Sequence, residues 1–213
     1  MKDKVYIIGA GGHAQVVIDA IMNSGLQAYG IFDDNESLIG KNIFQIPILG
    51  KIEKAKEYEN GRFIVAIGDN EIRTKIVKNL GFSDDKFYTV VHPSAVIGKN
   101  VEIGAGTMVL GGVVINTGTS IGRHCIINTS ASIDHHNKIS DFVHIAPGTH
   151  TGGNVTIGEG ALIGIGASII PGVKIGKRSV IGTGTVVIKD VPDYATVVGN
   201  PGKIIKMKGE GIR

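Results

Sequence analysis

A chain of 213 residues has room for one large domain or two small ones, and 42% hydrophobic residues supply a sizeable core. The net charge is +3, Trp is absent and aromatics make up 5%, which excludes the clustered basic and aromatic surface of a nucleic-acid binder. The single cysteine excludes an internal disulfide, and no run of about 18 apolar residues offers a membrane span.

The first residues enter a strand pattern at once, without a signal-peptide profile, so the expected compartment is the cytoplasm. Residues 5–8 are an apolar run. They meet Gly9, Ala10, Gly11, Gly12, His13 and Ala14, then a helical pattern through Val16, Val17, Ala20 and Ile21 that stops at Asn23-Ser24-Gly25. A second strand is expected over 29–32, ending at Asp33 and Asp34. A third, over 62–67, leads through Gly68, Asp69 and Asn70 into a helix over 71–80. The alternation predicts a small parallel α/β domain, a Rossmann-like half, over residues 1–85.

The first loop of this domain matches G-x-G-x-x-A between a strand and a helix, with an acidic residue about 20 positions on. Glycines let a phosphate approach the backbone, and the helix N-terminus offers N–H groups and the positive end of its dipole. A full dinucleotide fold needs two such halves, so a nucleotide diphosphate fits better than NAD. The plain alternative is a glycine turn that serves strand–helix packing alone. His13 is either a ligand contact or a helix N-terminal residue. Asp33 and Asp34 either accept from ribose or uracil, or terminate a strand.

From Val91 the chain repeats every six residues: Val91, Ile97, Ile103, Val109, Ile115 and onward to Val187. Of these seventeen positions only Thr151 is not Val or Ile. Two residues before each rung runs a second series of small or β-branched residues, among them Ala95, Thr107, Thr119, Ala131, Ala161, Ala167 and Ser179. An α-helix drifts against a period of six, and a lone strand has a period of two. Short strands joined by tight corners and stacked in layers satisfy it, so residues 86–213 are expected to form a parallel β-helix with a short tail. Lys203, Lys206 and Lys208 read as that solvated tail. Cys125 falls on the small-residue series, which predicts a buried, inert thiol. The ladder itself is scaffold, so chemistry has to come from residues off it.

Five of the seven histidines lie between 124 and 150, most densely at Asp134-His135-His136. A carboxylate beside an imidazole fixes its tautomer and raises its basicity, as a general base requires. The alternatives are a surface coil or a metal shared by His135, His136, His144 and His150 across an oligomer interface. No spacing singles out a ligand set, so no metal is expected.

Taken together, several segments resemble the bacterial hexapeptide-repeat sugar acyltransferases. The resemblance is to the sialic acid O-acetyltransferase-like family that includes nucleotide-aminosugar N-acetyltransferases. The carriers are residues 8–13, Phe32-Asp33-Asp34, residues 66–73, Asn128-Thr129-Ser130, Asp134-His135, residues 144–148 and Val198-Gly199-Asn200-Pro201. The resemblance implies a left-handed β-helix, a hand that hexads alone do not fix. It implies a homotrimer with acetyl-CoA in clefts between neighbouring β-helices. The N-terminal domain would hold a nucleotide-linked amino sugar, typically a UDP-4-amino-4,6-dideoxy sugar. His135 is then the general base, and His144, Ile165 and Thr183 contact acetyl-CoA. Gly11, Gly12, His13, Asp33, Asp34 and Gly68 contact the nucleotide sugar. Members often carry an acidic residue just after the base, where this chain has His136, so Asp134 is expected to orient His135. The expected activity is N-acetylation of the sugar 4-amino group by direct attack on acetyl-CoA. The alternatives are O-acetylation of sialic acid or a related glycan, and a non-catalytic nucleotide-sugar- or metal-binding β-helix. Neither nucleic-acid binding nor membrane insertion is expected.

Overall fold

The structure, a computed structural model, describes residues 4–207. The N-terminal domain runs β1 (Lys4–Ile8), α1 (Gly12–Asn23), β2 (Ala28–Phe32), β3 (Asn42–Ile43), β4 (Ile46–Gly50), β5 (Gly61–Val65) and α2 (Asn70–Leu80). The sheet order is β3-β4-β2-β1-β5, parallel except where β3 pairs with β4. Central β1 reads as a continuous apolar run because both its faces are covered. Val5 and Ile7 pack against α1, whereas Tyr6 and Ile8 join Phe32, Phe63 and Leu80 on the α2 side. The β3–β4 hairpin is an addition to the expected elements. Its turn residues are Phe44 and Gln45, both at positive φ, where an Asn-Gly pair would ordinarily announce such a turn.

From residue 90 the chain forms a left-handed parallel β-helix of two-residue strands. Each strand pairs with the one a coil later, as Ile115 does with Ile133 and Ile127 with Ile145. The coil has three faces. The first carries the strands at 90, 108, 126, 144, 162 and 180, the second those from 96 to 186, and the third those from 102 to 174. The ladder is buried from Val109 to Val187, and it loosens only at the N-terminal end, where Ile97 has no rung beneath it and is 38% exposed. The small-residue series is buried too from Thr107 onward. Most of its hydroxyls return to the backbone, as when Thr107 Oγ1 donates to the carbonyl of Gly122 at 2.8 Å, whereas that of Thr185 is buried without a partner. Thr151 sits between Ile133 and Ile169 and keeps the shape of Val. Its oxygen lies 3.4 Å from the backbone N–H of Asp134, so the polar break in the ladder stands behind the turn that carries His135.

The α/β domain docks on the first face, where Val90, Met108, Leu110 and Ile126 complete the core around α1. Lys203–Met207 is a strand antiparallel to Ala195–Val198, not a loose tail, because it continues the first-face sheet. Lys208 lies outside the described residues. Among the described residues no helix is long and apolar enough to cross a membrane.

Candidate active site

The β1–α1 loop is shaped by glycine in two ways. Gly9 has φ +104°, and a Cβ there would lie 2.9 Å from Ile67 Cγ1. Gly11 and Gly12 are exposed, with nothing within 4 Å of where a Cβ would stand. Gly11 caps α1 without a side-chain hydrogen bond, and the first turn holds no acidic residue. The loop thus presents open space and uncapped N–H groups, the conditions under which a helix N-terminus receives a phosphate. Asp33 accepts from the backbone N–H of Ala10 at 2.7 Å and of Asn35 at 2.8 Å, and Asp34 accepts from that of Ile52 at 3.0 Å. Both carboxylates tie neighbouring loops together at the C-terminal end of β2.

His144 projects from the first face into the seam between the two domains. Its Nδ1 is 3.1 Å from the carbonyl of Gly68, which fixes the proton on Nδ1. Its Nε2 accepts from Asn128 Nδ2 at 3.2 Å. The His13 ring lies 6.2 Å away, and its Nε2 is buried without a partner. Burial first, and the nearby Arg73 guanidinium second, lower both histidines to about 4, so each is neutral. Arg73 is fully buried at the base of this seam. It donates to the carbonyls of His124 at 2.8 Å, Ile67 at 2.9 Å and Phe142 at 2.9 Å, and to Asn70 Oδ1 at 2.7 Å. Beside Gly68 a groove of about 680 Å³ opens between α2 and the first face, lined by Asn70, Lys75, Lys78, Leu162 and Arg178.

His124, wedged between Phe87 and Phe142, is likewise held at about 4, by burial first and then by Arg73. All three histidines take protons in the unfolded chain near pH 6.5 but resist them when folded. Their contribution is therefore complete above about pH 6.5 and is lost as pH falls toward 4. The expected slope is roughly 1 kcal/mol per pH unit for each histidine. Urea midpoints measured from pH 7.5 to 5 should fall steeply, and His124→Asn, which removes one titrating ring, should flatten the slope. An unchanged slope in that variant would refute this origin.

His135 occupies a different part of the molecule. It lies on the corner between the second and third faces, opposite the face that carries the α/β domain, and is exposed. A Cβ on Gly153 would stand 2.5 Å from His135 Cε1, so glycine in the next coil makes room for the ring. Asp134 does not orient that ring. Its Oδ1 accepts from the backbone N–H of His135 at 2.8 Å and from Asn116 Nδ2 at 3.0 Å, and these bonds hold its carboxyl below the usual range. The imidazole instead meets His136, Nδ1 to Nδ1 at 3.0 Å. Ile165 and Thr183 stack in successive coils on the corner after the first face, both exposed. The structure thus joins His144 to His13 and Gly68. Cys125 is buried, and desolvation pushes its thiol up to about 12.

Two family models match separate stretches of the chain. The PglD N-terminal domain matches residues 4–80, and six bacterial transferase hexapeptide repeats match residues 154–189. The crystal structure of a His-to-Asn mutant of perosamine N-acetyltransferase from Caulobacter crescentus, in complex with CoA and GDP-perosamine, superposes with a TM-score of 0.88. It is 36% identical in sequence over 99% of both chains. The chain belongs to the hexapeptide-repeat sugar acetyltransferases. In the same family, the acetyltransferase domain of PglB from Neisseria gonorrhoeae FA1090, solved with acetyl coenzyme A, is 32% identical with a TM-score of 0.86. The match covers 96% of this chain and 100% of that domain. UDP-N-acetylbacillosamine N-acetyltransferase of Bacillus subtilis (strain 168) is 38% identical over 109 residues, 50% of each protein. The chain spans half or less of the length of the first curated relatives it matches.

Three residues of the chain escape a reading of the sequence. Arg73 sits inside a recognised segment, but its partners lie 51 and 69 residues away in the coil. Asn128 sits inside another recognised segment, but its bond to His144, sixteen residues on, is not readable there. His136 reads as a departure from the family, although its phase in the hexad already marks it as a corner residue.

Proposed function

We propose that the chain transfers the acetyl group of acetyl-CoA to the 4-amino group of a nucleoside-diphosphate-linked amino-deoxy sugar. The observation that carries this reading is the full-length similarity to an N-acetyltransferase that holds CoA and GDP-perosamine together. The open Gly11-Gly12 loop over an uncapped α1 supports a diphosphate at the N-terminal domain, with Asp33, Asp34, His13 and Gly68 around the sugar nucleotide. UDP is the first candidate for the nucleotide, from the similarity to the bacillosamine enzyme, and GDP is the second, from the perosamine complex. Ile165 and Thr183 offer an exposed corner for the CoA chain, and His144 stands where the acetyl end would approach the sugar.

In this mechanism the sugar nitrogen attacks the thioester carbon and a C–N bond forms. Nε2 of His135 takes the proton released by the nitrogen. The C–S bond breaks, and the proton passes to the departing thiolate, leaving an amide and CoA. No acyl-enzyme is involved, in keeping with the buried Cys125. Within one chain His135 lies opposite the face that bears the nucleotide loops, so a neighbouring subunit has to supply one to the other. The second face suits that contact. Its outward residues are Val96, Val114, Ser132, His150, Ser168 and Val186, with no Lys, Arg, Asp or Glu, whereas the third presents Glu102, Lys138 and Lys174. Interface cores are depleted of charge, so a homotrimer about the second face is the assembly proposed.

The test is incubation with acetyl-CoA and UDP- or GDP-linked 4-amino-4,6-dideoxy sugars, read by thiol release and product mass. The expected product is one acetyl group heavier and stable to hydroxylamine, as an amide is. Thiol release with sialic acid alone, giving a hydroxylamine-labile product, would replace this reading with O-acetylation. No release with any acceptor would remove it.

A further inference from the structure

His136 lies on a corner position that recurs through the coil at positive φ. Eight of these corners carry Gly: 106, 112, 118, 148, 160, 166, 172 and 184. The other seven carry side chains, exposed Asn154 and Arg178 among them, and histidine is one of the residues enriched at such φ values, so the backbone alone does not single out His136. His124, at the same hexad position on a different corner of the coil, is buried between Phe87 and Phe142, so its conformation has a packing reason that His136 lacks. What His136 has instead is the 3.0 Å contact of its Nδ1 with Nδ1 of His135, the two rings meeting edge to face at 77°. Each ring lies over a glycine. A Cβ on Gly118 would be 2.8 Å from His136 Cδ2, and one on Gly153 would be 2.6 Å from His135 Nε2.

We propose that His136 is a positioning residue: its Nδ1 accepts the Nδ1 proton of His135 and leaves Nε2 of His135 bare to receive the substrate proton. This rests on the reading of His135 as the general base. The neutral pair carries two protons. The Nδ1–Nδ1 contact has room for one, so the other sits on an Nε2. When His136 holds that other proton, His135 is a competent base. One added proton fills both Nε2 atoms wherever the contact proton resides, and catalysis stops. The acid limb of kcat therefore belongs to the pair, not to one ring. Among the other charges, the carboxylate of Asp134 interacts electrostatically with His135. The neighbouring coils present Asn116, Thr117 and Gly118 on one side and Gly152, Gly153 and Asn154 on the other. The carboxylate of Asp134 is already engaged by Asn116 and the backbone.

The experiment measures kcat and both KM values against pH for the full-length wild type, His136→Gly, His136→Glu and His135→Ala. Glycine suits the corner, so His136→Gly should fold at least as well as the wild type, as its melting temperature would report. Misplacing a catalytic group costs up to about a hundredfold, so kcat is expected to fall about ten- to a hundredfold with both KM values nearly unchanged. His136→Glu should restore most of kcat and move the acid limb to higher pH, because a carboxylate stabilises the protonated imidazole beside it. If His135→Ala is inactive while His136→Gly keeps wild-type kcat and acid limb, the pairing is wrong and the base assignment stands. If His136→Glu behaves as His136→Gly does, the positioning role is likewise wrong. If His135→Ala keeps wild-type turnover, the base assignment fails and this inference falls with it.

Discussion

Replacement of His135 by alanine is expected to lower kcat about 10²–10⁴-fold, the range that a positioned general base contributes. The KM for acetyl-CoA and the binding of CoA should change little, because the corner of Ile165 and Thr183 is a different edge of the coil from the one that bears His135. Folding should survive. His135 is exposed, and what its residue supplies to the coil is backbone, with its carbonyl accepting from the N–H of Asn154 at 2.9 Å. Activity that remains should reflect the juxtaposition of amine and thioester, which needs no base. Cys125→Ala, by contrast, should keep wild-type turnover, since a buried thiol raised to about 12 is not an available nucleophile. Thiol release under saturating substrates checks both variants. A His135→Ala enzyme with wild-type kcat, or a dead Cys125→Ala enzyme that is fully folded, would defeat the direct-attack mechanism.

The second large effect concerns the seam between the domains, which two arginines bridge by opposite means. Arg123 joins Asp84 of the first domain at 3.1 Å to Asp141 of the coil at 2.6 Å, but its side chain is half exposed. Arg73 is fully buried, and burial lowers it only to about 10, so it is charged at neutral pH. Arg73→Met would leave the carbonyls of His124 and Phe142, among others, buried without a donor. Breaking such a buried charged network costs about 3–5 kcal/mol. For a chain of this size that corresponds to roughly 10 °C in Tm. Arg123→Ala should cost under about 1 kcal/mol, the usual worth of an exposed pair. Arg73→Met should also raise the KM for the nucleotide sugar, because Arg73 holds the Ile67 carbonyl next to Gly68, and the Gly68 carbonyl holds His144. Thermal melts and steady-state kinetics of the two variants decide the matter. Equal small losses would show that the buried guanidinium does not anchor the domains.

The coil is legible in the sequence because its signal is periodic and every rung reports the same environment. Even the exception is informative: Thr151 is polar where the ladder passes behind the Asp134 turn. The Gly9–Ala14 loop is legible because glycine marks backbone geometry directly. The seam is not. Arg73 looks like any cation on an amphipathic helix, and nothing local says that its guanidinium meets Phe142. Likewise the tautomer of His144 is set by Gly68, which is 76 residues distant in sequence. The expected pairing of Asp134 with His135 fails for a local reason. The carboxylate folds back onto its neighbour's N–H, as Asp does in tight turns, and the ring turns toward His136.

The coil also works as a ruler. Residues eighteen apart stand one above the other, as Asn116 and Asp134 do, and neighbouring strands are about 4.8 Å apart. Six extra residues would carry every later side chain to the next face, and one extra residue would turn the ladder outward. Only a whole coil can be added without scrambling the later rungs. Even that is harmless only beyond the last rung the α/β domain touches. Between Val91 and His144 it would slide His144 one rung away from Gly68 and break the seam. Natural length variation among such chains is accordingly expected in steps of one coil, gathered toward the C-terminal end of the stack.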